Sequence, residues 1–178
     1  MKLPKRVSLK TLSLLLAATL PLTITVGYAE PAEPQNGRPN PYRAIHGWAK
    51  LPEGRNWGST AGIDIDPDGV HVWAIDRCGK NSCSDSNLEP ILKFDQSGNV
   101  VTAFGAGLFN FPHGIHVDNV GNVWITDARG PDENIPGSQG KGHTVIKFSP
   151  LGEVLMIMGT PGIAGKGVYS FDEPCDVV

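Results

Sequence analysis

Residues Phe109–Asp127 read FNFPHGIHVDNVGNVWITD, and this stretch decides the fold. Ile115-His116-Val117-Asp118 alternates apolar and polar residues, the period of a half-buried strand. Asn119-Val120-Gly121-Asn122 is turn chemistry, because Gly and Asn tolerate positive φ. Val123-Trp124-Ile125-Thr126-Asp127 is β-branched and aromatic, which favours a second strand. The spacing therefore predicts a hairpin entered through a Pro112-His113-Gly114 corner that stops one strand and opens the next. A side chain at such a corner leaves the sheet, so His113 is a candidate ligand-facing residue.

The unit recurs. Ala61-Gly62-Ile63-Asp64-Ile65-Asp66, a Pro67-Asp68-Gly69 turn and Val72-Trp73-Ala74-Ile75-Asp76 form an earlier copy, with Gly62 and Gly114 set 52 positions apart. Ile91–Val101 matches Val145–Leu155, and Gly98 lies 54 positions before Gly152. A third copy opens at Glu173-Pro174-Cys175-Asp176-Val177-Val178. Each unit carries four strand candidates, starting near Gly62, Val70, Pro90 and Val100, then near Gly114, Val123, Thr144 and Val154. Four short antiparallel strands at a fixed period are the signature of a β-propeller blade. The expected fold is all-β, with two blades (about 61–104 and 113–158) and the start of a third. Propellers use ~4–8 blades, so the chain reads as the N-terminal part of a longer protein, unstable or oligomeric by itself.

Composition narrows the partners. The 178 residues carry a formal charge of −3, but Lys2, Lys5, Arg6 and Lys10 all precede an apolar run from Leu12 to Val26. Gly27 and Ala29 supply small residues at the −3 and −1 positions of a cleavage site. Residues 1–29 are expected to be a secretory signal peptide, too short for a stable membrane anchor. Without them, 11 basic residues face 18 acidic ones, a net −7, and no basic stripe remains for nucleic acid. The expected localisation is exported, periplasmic or secreted. Residues 30–42 read as a Pro-rich linker, and the propeller starts at residue 43, with Trp48 and Trp57 to bury in its lead-in. Of the three cysteines, Cys78 and Cys83 enclose four residues just after a strand and are expected to form a local disulfide, leaving Cys175 unpaired.

The order of Gly62-Ile63-Asp64-Ile65-Asp66, Ile75-Asp76-Arg77, Phe111-Pro112-His113-Gly114-Ile115, Val123-Trp124-Ile125-Thr126-Asp127 and Pro174-Cys175-Asp176-Val177 resembles NHL-type repeats. More narrowly, it resembles peptidyl-α-hydroxyglycine α-amidating lyases and their bacterial relatives, over about residues 43–178. The resemblance implies a six-bladed propeller that cleaves a C-terminal α-hydroxyglycine into an amide and glyoxylate. It implies zinc held by histidines from separate blades and calcium bridged by backbone carbonyls in the central channel. Position by position, His113 matches a zinc histidine, Ile63 and Ile115 match the calcium carbonyls, and Arg77 matches an arginine lining the active site. The remaining histidines and an active-site tyrosine would fall beyond Val178. The implied partner is a small-molecule or peptide substrate ending in an α-hydroxyglycine-like group. The alternative is a non-catalytic propeller that binds a protein or glycan.

Simpler roles exist for each residue. His113 fits a corner imidazole bonded to a neighbouring carbonyl, and Arg77 fits an ion pair with Asp76 or Asp127. As a ligand group, Arg77 would clamp a carboxylate through two parallel bonds. Cys175 holds the His113 position in the third repeat. His116 lies an odd number of residues from His113, which in a regular strand is the opposite face. Asp64, Asp66, Asp68, Asp118 and Asp127 read as turn and strand caps. Gly130–Gly142 reads as a rim insertion that shapes substrate access. His46 and His143 carry no signal.

Overall fold

In the computed structural model, residue 37 and residues 39–178 are described. The expected signal peptide lies outside the described residues, as does most of the expected linker. Ala44–Val178 forms one compact unit. Among the described residues every regular element is a strand, and no helix is long and apolar enough to cross a membrane.

The first blade is β1 (Thr60–Ile65), β2 (Val72–Asp76), β3 (Ile91–Phe94) and β4 (Val100–Phe104). The second is β5 (Pro112–Val117), β6 (Val123–Asp127), β7 (Thr144–Phe148) and β8 (Val154–Met158). Each is a four-stranded antiparallel sheet in sequence order. The eight strands match the eight sequence candidates, because alternation and turn residues mark a half-buried meander strongly.

Strand periodicity sends alternate residues to opposite faces. In the first blade one face carries Trp73, Ile75, Ile91 and Phe104, which pack against Ile115, Val117, Val123, Ile125, Ile146 and Phe148 of the second. Phe104 and Phe148 lie 5.2 Å apart at the centre of this shared core. The other face of the first blade, with Ala74, Leu92 and Phe94, is covered by Trp48, Ala49 and Leu51. The lead-in thus stands where a neighbouring blade would pack. Trp48 lies 6.1 Å and Trp57 5.8 Å from the Phe94 ring, yet Trp57 is still 38% exposed.

Each blade is tied by the same three residues. Asp66 accepts from the Trp73 indole and pairs with Lys93. Asp118 accepts from the Trp124 indole and pairs with Lys147. Burial opposes the charged form of both carboxyls, but the bonds from Lys93 and Trp73 to Asp66, and those from Asn122 and Trp124 to Asp118, outweigh it and hold both below the usual carboxylate range.

One expectation is corrected. Pro112 does not stop a strand: it is the first residue of β5. Pro112 pairs with Asp127 and Ile115 with Ile125, so His113 and Gly114 together oppose one residue of β6. The corner is a β-bulge inside the strand, and β1 carries one between Thr60 and Gly62. The extra residue breaks the period of two, so the odd spacing of His113 and His116 no longer decides their faces.

Candidate functional site

The inner strands of the repeats converge at a cavity of about 390 Å³. Its wall is Ala61, Gly62 and Ile63 from the first repeat, His113, Gly114 and Ile115 from the second, and Cys175 and Asp176 from the third. Glycine is required where these backbones meet. A Cβ on Gly114 would lie 2.8 Å from the Asp176 Cα and 2.8 Å from the Cys175 carbonyl oxygen. A larger cavity, about 530 Å³, lies beside Arg55, Cys78 and Lys80 and includes no imidazole. The His113 imidazole lines the smaller one.

His113 Nδ1 lies 2.9 Å from the Cys175 carbonyl oxygen. A carbonyl only accepts, so Nδ1 carries the proton and Nε2 presents its lone pair. The simpler role foreseen for this residue is therefore present, and it leaves the second nitrogen available. His116 has a different neighbour: its Nδ1 lies 3.5 Å from Asp64 of the first repeat. The two imidazoles are separated by their partners rather than by strand parity.

Arg77 is buried and pairs with neither Asp76 nor Asp127. Its Nε donates to the Pro112 carbonyl at 3.0 Å and its Nη1 to Asn81 Oδ1 at 2.8 Å. Its guanidinium carbon stands 3.5 Å from the Phe111 ring centre. Burial, then the charge of Arg129, lowers its pKa from the ordinary arginine value. Cys78 and Cys83 are bridged, and Asn81 belongs to the loop they close.

The two aspartates that end β2 and β6 are fully buried caps. Asp76 pairs with Arg55 at 2.9 Å and accepts from the Gly58 N–H. Asp127 accepts the Asn110 and Phe111 N–H groups. Burial, only partly offset by those bonds, pushes its carboxyl up to about 6. The cap on Phe111 fixes the ring on which Arg77 lies.

Ile63 is 69% exposed and Ile115 8% exposed, on equivalent positions of β1 and β5. Both contribute to the cavity wall, and neither side chain carries a donor atom, so each could offer a cation only its backbone oxygen. That chemistry suits a hard cation such as calcium. A catalytic zinc site needs about three protein ligands, and His113 supplies one imidazole with a free nitrogen. Among the described residues no group of three or more His, Cys, Asp or Glu side chains is arranged to hold a metal.

Three residues of this region were missed or undervalued in the sequence. His143 is buried at φ +56°, and its Nδ1 accepts the Glu173 N–H at 3.2 Å. A side chain on Gly130 would collide with its ring. Arg129 and Phe111 join His113, Ala128, Glu173 and Cys175 around a second cavity of about 120 Å³. Their signal was available only as position: Arg129 follows the strand-ending Asp127 as Arg77 follows Asp76, one residue out of step.

No model of a known protein family matches the sequence. Human NHL repeat-containing protein 3 is 31% identical over 141 residues, covering 76% of this chain and 36% of that protein. A probable peptidyl-alpha-hydroxyglycine alpha-amidating lyase of Caenorhabditis elegans is 29% identical over 135 residues, covering 67% of this chain and 35% of that protein. Peptidyl-alpha-hydroxyglycine alpha-amidating lyase 2 of Drosophila melanogaster is 22% identical over 146 residues, covering 70% and 32%. The chain spans about a third of the length of the curated relatives it matches. With eight strands in two consecutive four-stranded blades and these relatives, the chain is built of NHL-type β-propeller blades.

Proposed function

We propose that the chain is part of an exported, metal-dependent lyase that cleaves the C–N bond of an α-hydroxyglycine-like terminus and releases an amide and glyoxylate. One observation carries the reading: His113 keeps Nε2 without a hydrogen-bond partner among the described residues, at the wall of a cavity it shares with Phe111, and the Arg77 guanidinium lies 3.5 Å from the centre of that Phe111 ring. The amidating-lyase relatives support it. The Cys78–Cys83 bridge and the basic, apolar start of the sequence support export.

In this reading His113 Nε2 is one ligand of a zinc ion, and the Ile63 and Ile115 carbonyls hold a calcium ion. Zinc, when bound, supplies Lewis acidity toward the substrate hydroxyl. The chain's own residues do the rest. The Cys175 carbonyl keeps the proton on Nδ1, which orients the ring and raises its basicity as a ligand. Arg77, held by Pro112 and Asn81, keeps Nη2 for a substrate carboxylate. Loss of the hydroxyl proton leaves an electron pair on oxygen that forms the C=O bond of glyoxylate as the C–N pair departs with the amide nitrogen, which takes a proton.

The test, in the full-length protein, compares His113→Ala with His116→Ala in zinc content, glyoxylate release and melting. His113→Ala should lose zinc and activity together and keep its fold, while His116→Ala keeps both. Full zinc in His113→Ala, or no zinc in the wild type, removes the lyase reading and leaves a propeller that binds a protein or glycan partner.

A further inference from the structure

Phe111 is held between two guanidinium groups. Arg77 lies 3.5 Å and Arg129 4.1 Å from its ring centre. Two guanidiniums this close to one centroid would overlap on a single face, so they occupy opposite faces. Like charges normally avoid such an arrangement, since neither stacking contact removes the repulsion between them.

Nothing nearby neutralises the pair. Arg77 spends Nε on a carbonyl and Nη1 on a side-chain amide, and Nη2 has no partner among the described residues. The Arg129 side chain makes no hydrogen bond or ion pair among the described residues. Glu173 lines the same cavity, yet no cation lies within ion-pair distance of it among the described residues. The frame is rigid: Asp127 accepts the Phe111 N–H at 2.6 Å, and the disulfide-closed loop holds Arg77 through Asn81. Arg129, His113 and Phe111 share the wall of the 120 Å³ cavity.

We propose that Arg129 is the second half of an anion subsite, binding one ligand carboxylate jointly with Arg77 across the edge of Phe111, beside His113. Nη2 of Arg77 and the unpaired Arg129 guanidinium each offer charge-assisted N–H donors, and one carboxylate has an oxygen for each of them. Arg77 is the buried, fixed half and Arg129 the exposed half that the ligand meets first. The subsite rests on the lyase reading for the origin of the carboxylate, and on the two guanidiniums alone for anion binding.

Glyoxylate is the probe, titrated by calorimetry into the intact chain and its variants. R129Q should weaken glyoxylate binding about tenfold, as expected for loss of a charge-assisted pair, with unchanged melting. R129K, which keeps the charge and loses the fork, should fall between R129Q and wild type. Lys166→Gln, an exposed cation outside the cavity, should bind like wild type and so excludes a mere effect of net charge. The proposal is overturned if R129Q binds glyoxylate as wild type does, if Lys166→Gln weakens it equally, or if the wild type binds none. If glyoxylate binding depends on Arg129 while the full-length protein releases no glyoxylate from an α-hydroxyglycine substrate, the subsite stands and the lyase reading fails.

Discussion

The two blades have nearly the same sequence pattern and different surroundings. Ile115 and Val117 of β5 are 8% and 7% exposed, while Ile63 and Ile65, at the same places on β1, are 69% and 64% exposed. The second blade lays this face on its neighbour. The first lays it on the short lead-in, which reaches Leu92 and Phe94 on β3 but leaves the inner strand β1 open. The shared motif therefore specifies the strand, and the neighbour specifies whether its apolar face is a core. The outer strand of the second blade repeats the lesson: Leu155, Met156 and Ile157 are each about half exposed.

The largest expected effect separates the two faces energetically. Phe148→Ala, at the centre of the shared core, should cost about 3–5 kcal/mol in urea unfolding. The equivalent Phe94→Ala should cost less, because the lead-in over it can settle into the space. Equal losses would mean that the lead-in packs as firmly as a blade, and would break the comparison.

Next comes the pair of strand-ending aspartates. Asp76 has Arg55 beside it, while burial pushes Asp127 up to about 6 against 3.8 for the unfolded chain. Between those pH values the folded state keeps a proton that the unfolded state has released. The stability linked to Asp127 is thus fully present below pH 3.8 and is lost as pH rises through about 6. The loss is about 3 kcal/mol. Asp66 and Asp118, whose carboxyls are shifted down, act at lower pH and leave this window clear. Unfolding measured from pH 4 to pH 7 should show the slope, and Asp127→Asn should flatten it. A wild type with no slope there contradicts the assignment.

The smallest effect is the sharpest. Ile63→Ala should shift stability by no more than about 0.5 kcal/mol, as for an exposed residue, while Ile115→Ala costs about 2–5 kcal/mol. A large loss at Ile63 would show that something covers the open half of β1 in solution.

The strands were legible because each obeys a period of two and is closed by Gly, Asn or Pro. The bulge was not. Pro112 and Gly114 look like breakers, and only the pairing of Pro112 with Asp127 reveals that the ladder continues past them. The same blindness applies to His143, which sits outside any alternating run and is held by Gly130 against its ring and by the Glu173 N–H. Arg77 and His113 were legible as chemistry, but their partners were not: the Asn81 amide, the Pro112 carbonyl and the Cys175 carbonyl come from loops or from another repeat. Arg129 drew no attention because exposed arginines are common, and the ring that gives it meaning lies 18 residues earlier.

The Cys78–Cys83 bridge spans a sequence separation of 5, and through Asn81 it governs one of the two tethers of Arg77. The other tether, the Pro112 carbonyl, lies 35 residues downstream. Arg77 is therefore aimed by two unlike devices: a covalently closed loop close to it in sequence, and a backbone carbonyl that only the second repeat supplies. The arginine is set by the junction of the two repeats, and a change that slides one blade on the other would re-aim it without touching its own loop.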